Sequence, residues 1–162
     1  TRDVHERNEA EQKLRASQEA LRATLFNTPN VSVQWYDAEG KIVLWNQASE
    51  VMYGWSEQEV LGKTLEDIHL FTNEADYQEF QHTIKYILAT GEAFGPYQYQ
   101  FRRKNGTIGF GESANFAIPI SDTSNLEKQR ICVCMDIDIT NRHYAETALQ
   151  QVNDDLDAML RM

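Results

Sequence analysis

The chain has 162 residues, 41% hydrophobic and 10% aromatic, enough for one domain around a single buried core. Its 25 acidic against 15 basic residues leave a net charge of -10, which repels phosphate backbones and anionic lipid surfaces, so no nucleic-acid partner and no direct membrane contact are expected. No apolar run approaches the roughly 20 residues that cross a bilayer, and the polar start is unlike a secretory signal, which predicts a cytoplasmic location.

The first predicted element is a helix over residues 1–24, where Ala10, Leu14, Ser17 and Leu21 space a weak apolar seam. An offset of 135 positions lays this segment over the end of the chain. It pairs Asp3 with Asp138, Arg7 with Arg142, Ala10 with Ala145, Glu11 with Glu146, Leu14 with Leu149 and Leu21 with Leu156. Self-similarity at a fixed period marks a modular array, so residues 1–7 read as the last piece of a preceding module.

From Val31, "VSVQWYD" and "KIVLWN" form a strand pair around a turn that uses Asp37 and Gly40. Two short helices should follow. Asn46 is placed to cap the first, Gly54 and Gly62 to stop the chain, and Ser56 with Glu59 to form a capping box. In "ADYQEFQHTIKYILATGE" the residues Tyr77, Phe80, Ile84, Ile87 and Leu88 fall on one helical stripe that ends at Gly91, and that helix should cover a sheet.

After Pro96, Tyr97, Tyr99 and Phe101 alternate, Asn105-Gly106 signals a hairpin, and Ile108, Phe110, Ala114 and Phe116 alternate beyond it. The first of these runs either lines the core or faces outward to receive the N-terminal helix or a second protomer. Gly109 and Gly111 lie inside a strand pattern and read as close-packing or bulge positions. The last strand, Arg130 to Ile139, carries Cys132 and Cys134 on one face; without further ligands at zinc spacing they read as small buried hydrophobes in a reducing compartment.

Five strands interrupted by helices after the second predict an α+β fold, with a five-stranded antiparallel sheet covered by helices on one face. At "DIDITNR" the last strand runs straight into a helix. Thr140 is expected to cap that helix and Asp138 to pair with Arg142, making a stiff joint. Beyond it Ala145, Leu149, Val152, Leu156 and Met159 keep a 4-3-4-3 spacing, a seam suited to a parallel homodimer. An amphipathic helix folded back on its own domain is the competing reading.

These residues carry a resemblance. "GKIVLWNQASEVMYGWSEQEVLGKTLEDI" resembles the first half of a PAS domain, and "RRKNGTIGFGES" with "DIDITNR" resembles the second, closing half. "RDVHER" is similar to the same closing motif, with His5 in place of threonine. The resemblance implies a linker helix with the end of a preceding PAS module over 1–24, a PAS domain over 25–140 and a signalling helix over 141–162. It also implies that Asp138, Ile139, Thr140 and Arg142 transmit signals to that helix.

Of the four histidines, His5 and His143 lie in the flanking helices and are expected to be solvated. In haem-binding members of the family the axial ligand stands where this chain has Phe80; His82 falls on the polar side of the helix, and His69 precedes it. The reactive cysteine of the light-sensing flavin members has no counterpart in "GKTLEDIHLF". The sequence therefore names no cofactor, argues against haem and covalent flavin, and leaves a small organic ligand or none. Leu44, Phe80, Ile84, Phe110 and Phe116 are the candidate pocket, and they would equally fill a solid core.

No metal-ligand set and no nucleophile elbow or phosphate loop accompanies the carboxylates, so the module is not expected to be an enzyme. The expected function is a sensory and dimerisation module of a multidomain signalling protein, a histidine kinase of a two-component system by resemblance. Adjacent PAS and effector domains would be its partners. The alternatives are a ligand-free relay module, or the PAS module of a diguanylate cyclase.

Overall fold

The computed structural model describes residues 1–120 and 130–162. A long helix α1 (Arg2–Asn27) leads to the strand pair β1 (Ser32–Tyr36) and β2 (Ile42–Trp45), then to the short helices α2 (Gln47–Tyr53) and α3 (Glu57–Val60). Helix α4 (Glu74–Thr90) precedes strands β3 (Phe94–Arg102), β4 (Ile108–Pro119) and β5 (Arg130–Asp138), and α5 (Thr140–Leu160) leaves directly from β5. The strands form one antiparallel sheet in the order β2-β1-β5-β4-β3, so the last strand lies at the centre beside the first.

The helix ends follow the chemistry of their caps. Asn46 accepts a hydrogen bond from the Ser49 amide at the start of α2, and Ser56 and Glu59 complete a capping box on α3. Asn73 caps α4, which ends at Gly91 in the left-handed region. The buried stripe of α4, Tyr77, Phe80, Ile84, Ile87 and Leu88, packs with Met52, Tyr53 and Val60 on one sheet face, against Tyr36, Ile42, Trp45, Phe101, Cys132 and Cys134. Both cysteines are buried and unpaired.

Tyr97, Tyr99 and Phe101 point into this helical side and not outward, which removes the outer-face reading of that run. The space for their rings comes from β4. A methyl group on Gly109 would stand 2.4 Å from the Phe101 ring and one on Gly111 2.5 Å from the Tyr99 ring, so these two glycines are close-packing positions.

The opposite sheet face is apolar as well. Val33, Ile131 and Val133 are buried there with Val31, Trp35, Leu44, Phe116 and Ile118 around them. Leu44 and Phe116 are thus corrected from pocket to outer face. For Leu44 the reason is a bulge: Trp35 pairs with Leu44 and Tyr36 with Ile42, so the extra residue Val43 turns Leu44 away from the side that Ile42 occupies. For Phe116 the alternation is as expected, but the large apolar set of β4 lies on the outer face, while Gly109, Gly111, Ser113 and Asn115 face the helices.

Neither α1 nor α5 buries any residue. The C-terminal end of α1 is tied to the globule by Arg22 to Glu57 at 3.2 Å and by the Asn46 side-chain amide donating to the Leu25 carbonyl at 3.1 Å.

Candidate functional site

A cavity of about 20 Å³ lies between the sheet and α4, room for roughly one water molecule. Apolar side chains of Leu65, Leu70, Phe71 and Phe80 line one side and Gln34, Tyr36, Tyr53, Tyr97, Tyr99, Ser113, Cys134 and Asp136 the other. Asp136, only 3% exposed, is its charged centre. Its Oδ2 accepts from Gln34 Nε2 at 2.8 Å and from the Tyr53 hydroxyl at 2.7 Å. Tyr53 has one hydroxyl proton and gives it to Asp136, so in the Tyr53–Tyr99 contact it is Tyr99 that donates. The Tyr36 hydroxyl donates to Gln34 Oε1 at 3.0 Å, and the Asn115 amide donates to Ser113 Oγ at 3.1 Å and Cys134 Sγ at 2.9 Å.

Two buried acceptors are left over among the described residues, Asp136 Oδ1 and Asn115 Oδ1. Burial pushes the Asp136 carboxyl above the ordinary aspartate range, although the polar side chains around it, Ser113, Tyr53, Gln34 and Tyr99, pull the other way. The same burial, with the Asp136 charge adding to it, lifts the hydroxyls of Tyr53 and Tyr99.

Two residues further along β5 stands the joint. The carboxylate of Asp138, and not the hydroxyl of Thr140, accepts the first amide of α5, from Thr140 N at 2.9 Å. The Thr140 hydroxyl is turned back toward the sheet, where it accepts from Phe110 N at 3.1 Å and Arg103 Nη2 at 3.2 Å. Arg103 also pairs with Asp138 at 3.0 Å and donates from Nε to the Met52 carbonyl at 3.1 Å, so one guanidinium joins α2, the β3–β4 hairpin and the strand-to-helix joint. The Asp138–Arg142 pair expected from spacing is not formed; Arg142 reaches Glu112 at 3.1 Å and Glu146 at 3.7 Å. Planarity favours Arg103 here, because its fork meets three acceptors at once.

A family model described as the PAS fold matches residues 19–137. The chain belongs to the PAS family. PAS domains are in general sensory and non-catalytic modules. Among solved structures, the chain is similar to the PAS domain of an HTR-like protein from Haloarcula marismortui, with TM-score 0.62 and 21% identity over 82% of this chain and 99% of that one. It is also similar to a PAS domain from Colwellia psychrerythraea, with TM-score 0.61 and 22% identity over 75% of this chain and 97% of that one. A PAS domain from a two-component sensor histidine kinase aligns with TM-score 0.55 and 13% identity, over 76% and 97% of the two chains. No curated protein matches by sequence. At these identities the likenesses speak to the fold alone.

Within this PAS domain the structure divides the expected pocket residues. Phe80 lines the cavity, while Ile84 is buried one turn away, beside Ala38, Gly40 and Lys85. Phe110 lies on the outer face and stacks on His143, with ring centres 3.7 Å apart; His143 is therefore half-buried and not solvated. His5, His69 and His82 are exposed, and among the described residues no three His, Cys, Asp or Glu side chains gather as metal ligands. No described helix is long and apolar enough to cross a membrane.

Gln34, Tyr53 and Arg103 escaped the sequence reading, and Asp136, which that reading places among solvated surface carboxylates, is buried. A signal was present for Asp136, which continues the Cys132–Cys134 phase onto the buried face. For Arg103 there was none, because it meets Asp138 across 35 positions of chain.

Proposed function

We propose that this PAS domain is a sensory and dimerisation module of a multidomain signal-transduction protein, of the histidine-kinase type. A change in the globule is passed through Asp138, Ile139 and Thr140 to α5. Residues 1–24 serve as a linker helix ending a preceding PAS module, 25–140 as the sensory domain and 141–162 as the signalling helix. Arg142 steadies the first turns of α5 against β4 through Glu112.

The observation that carries this reading is the Arg103 bridge, together with Ile139 N donating to Phe110 O at 2.8 Å. A joint held from two strands and a helix conveys a displacement, where a Gly/Ser linker would absorb it. In α5, Leu149, Val152, Leu156 and Met159 are each more than half exposed in the single chain, and with Ala145 they form the seam of a parallel homodimer. Adjacent PAS and effector domains are the other partners.

The test is sedimentation of the wild type against the double variant Leu149→Asp, Leu156→Asp. The wild type should sediment as a dimer at micromolar concentration and the variant as a monomer. A monomeric wild type contradicts the dimer module.

A further inference from the structure

Two hollows share one wall. Phe71, Phe80, Tyr97 and Tyr99 line both the water-sized cavity at Asp136 and an open vestibule of about 310 Å³ beside α4. Asp76 and Glu79 stand in the vestibule, and no lysine, arginine or histidine among the described residues lines either hollow. The rings between them pack as tilted and edge-on pairs, with Phe71 half-buried and its centre 5.5 Å from Phe80 and 6.4 Å from Tyr99.

Three of the hydroxyl protons on the inner wall are already committed. Tyr53 donates to Asp136, Tyr99 to Tyr53 and Tyr36 to Gln34. Acceptor capacity is open as well, chiefly at Oδ1 of a carboxyl group that is nine-tenths buried, an atom with no hydrogen-bond partner among the described residues. A buried acceptor without a donor, and still more a buried charge without a counter-charge, is costly.

We propose that Asp136 recognises a small organic cation, a primary ammonium whose head occupies the inner cavity beside Oδ1. The apolar body of the ligand lies in the vestibule among the aromatic rings. Each part of the path favours that chemistry. Asp76 and Glu79 attract a cation at the mouth, the ring faces of Phe71, Phe80, Tyr97 and Tyr99 stabilise it in passage, and an ammonium group matches the water-sized space while offering N–H donors to Oδ1. An anion is repelled at each stage. A neutral alcohol satisfies one acceptor without compensating charge.

The burial that raises Asp136 is opposed by a cation at contact, so binding releases a proton and tightens as pH rises. Tyr36, Tyr53, Tyr97, Tyr99 and Cys134, the other titratable groups facing it, are all pushed up by burial and stay neutral at pH 7. The proposal rests on the sensory reading only for what occupancy does to α5.

Isothermal titration of the whole chain with n-butylammonium and with butan-1-ol tests it. The ammonium should bind and the alcohol should not, and Asp136→Asn should weaken the ammonium by at least about 30-fold through loss of the buried charge pair. If that variant does not fold, Glu79→Gln supplies the second test, with a few-fold loss of affinity and a flatter salt dependence. Equal binding of alcohol and ammonium, or no ammonium binding at millimolar concentration, overturns the cation site. Ammonium binding that leaves hydrogen exchange at residues 138–143 unchanged supports the site and defeats only the relay.

Discussion

At Gly111 an alanine methyl would meet the Tyr99 ring at 2.5 Å, so the ring would have to leave its place against Phe101. Gly111→Ala is expected to destabilise the fold by about 1–3 kcal/mol, measured by chemical denaturation, with the Tyr99 hydroxyl moved off Tyr53. Arg103→Ala removes hydrogen bonds to a carboxylate, a hydroxyl and a carbonyl, and should cost about 1.5–3 kcal/mol in the same assay. Asp138 and Asp136 should respond to pH with opposite signs. Burial raises the Asp138 carboxyl, but the hydrogen bonds from Thr140 and Arg103 outweigh it and hold it below 3.8. Its contribution is therefore present above that value and is lost as pH falls through the depressed folded value, so the stability advantage over Asp138→Asn should shrink in acid. Asp136 is raised, so its contribution is greatest in acid and is lost as pH rises through its folded value; Asp136→Asn should gain on the wild type toward neutral pH. Equal slopes in the two thermal-melt series would contradict the assigned environments.

Elements were legible in the sequence where local chemistry defines them. The caps at Asn46, Ser56 and Gly91, the turns at Gly40 and Gly106 and the stripe of α4 all lie where spacing places them, because each depends on neighbours within a few positions. The face of a strand was harder to read. In β4 the bulky apolar residues occupy the outer side and the small and polar ones the inner, since β3 fills the inner space with aromatic rings; a rule that sends large residues inward selects the wrong set. The Val43 bulge inverts the phase at Leu44 for a reason that only strand pairing reveals. At the joint, composition named Asp138 and Thr140, but helical spacing suggested Arg142 where the cross-sheet neighbour Arg103 is the partner. In α5 the exposed seam leads to the expectation that Leu149→Asp with Leu156→Asp dissociates the protein without unfolding the PAS domain. Unchanged circular dichroism of the sheet alongside a halved sedimenting mass would be the combined signature.

Across the whole molecule, the cavity carboxyl and the joint share one central strand. Asp136 and Asp138 are two residues apart on the same side of β5, and Tyr53 at the end of α2 touches the first while the Met52 carbonyl beside it accepts from Arg103 at the second. A shift of α2 or of the Tyr53–Asp136 bond has a short, hydrogen-bonded route to the first turn of α5. That route requires β5 and α5 to open as one unit. Native-state hydrogen exchange at the amides of Ile139 and His143, which donate to Phe110 O and Ile139 O, measures this directly. Exchange of both amides only through opening as rare as that of the core of β5, with selective acceleration in Arg103→Ala, is the predicted result. Fast, independent exchange at these two amides in the wild type would show a loose hinge and contradict the account.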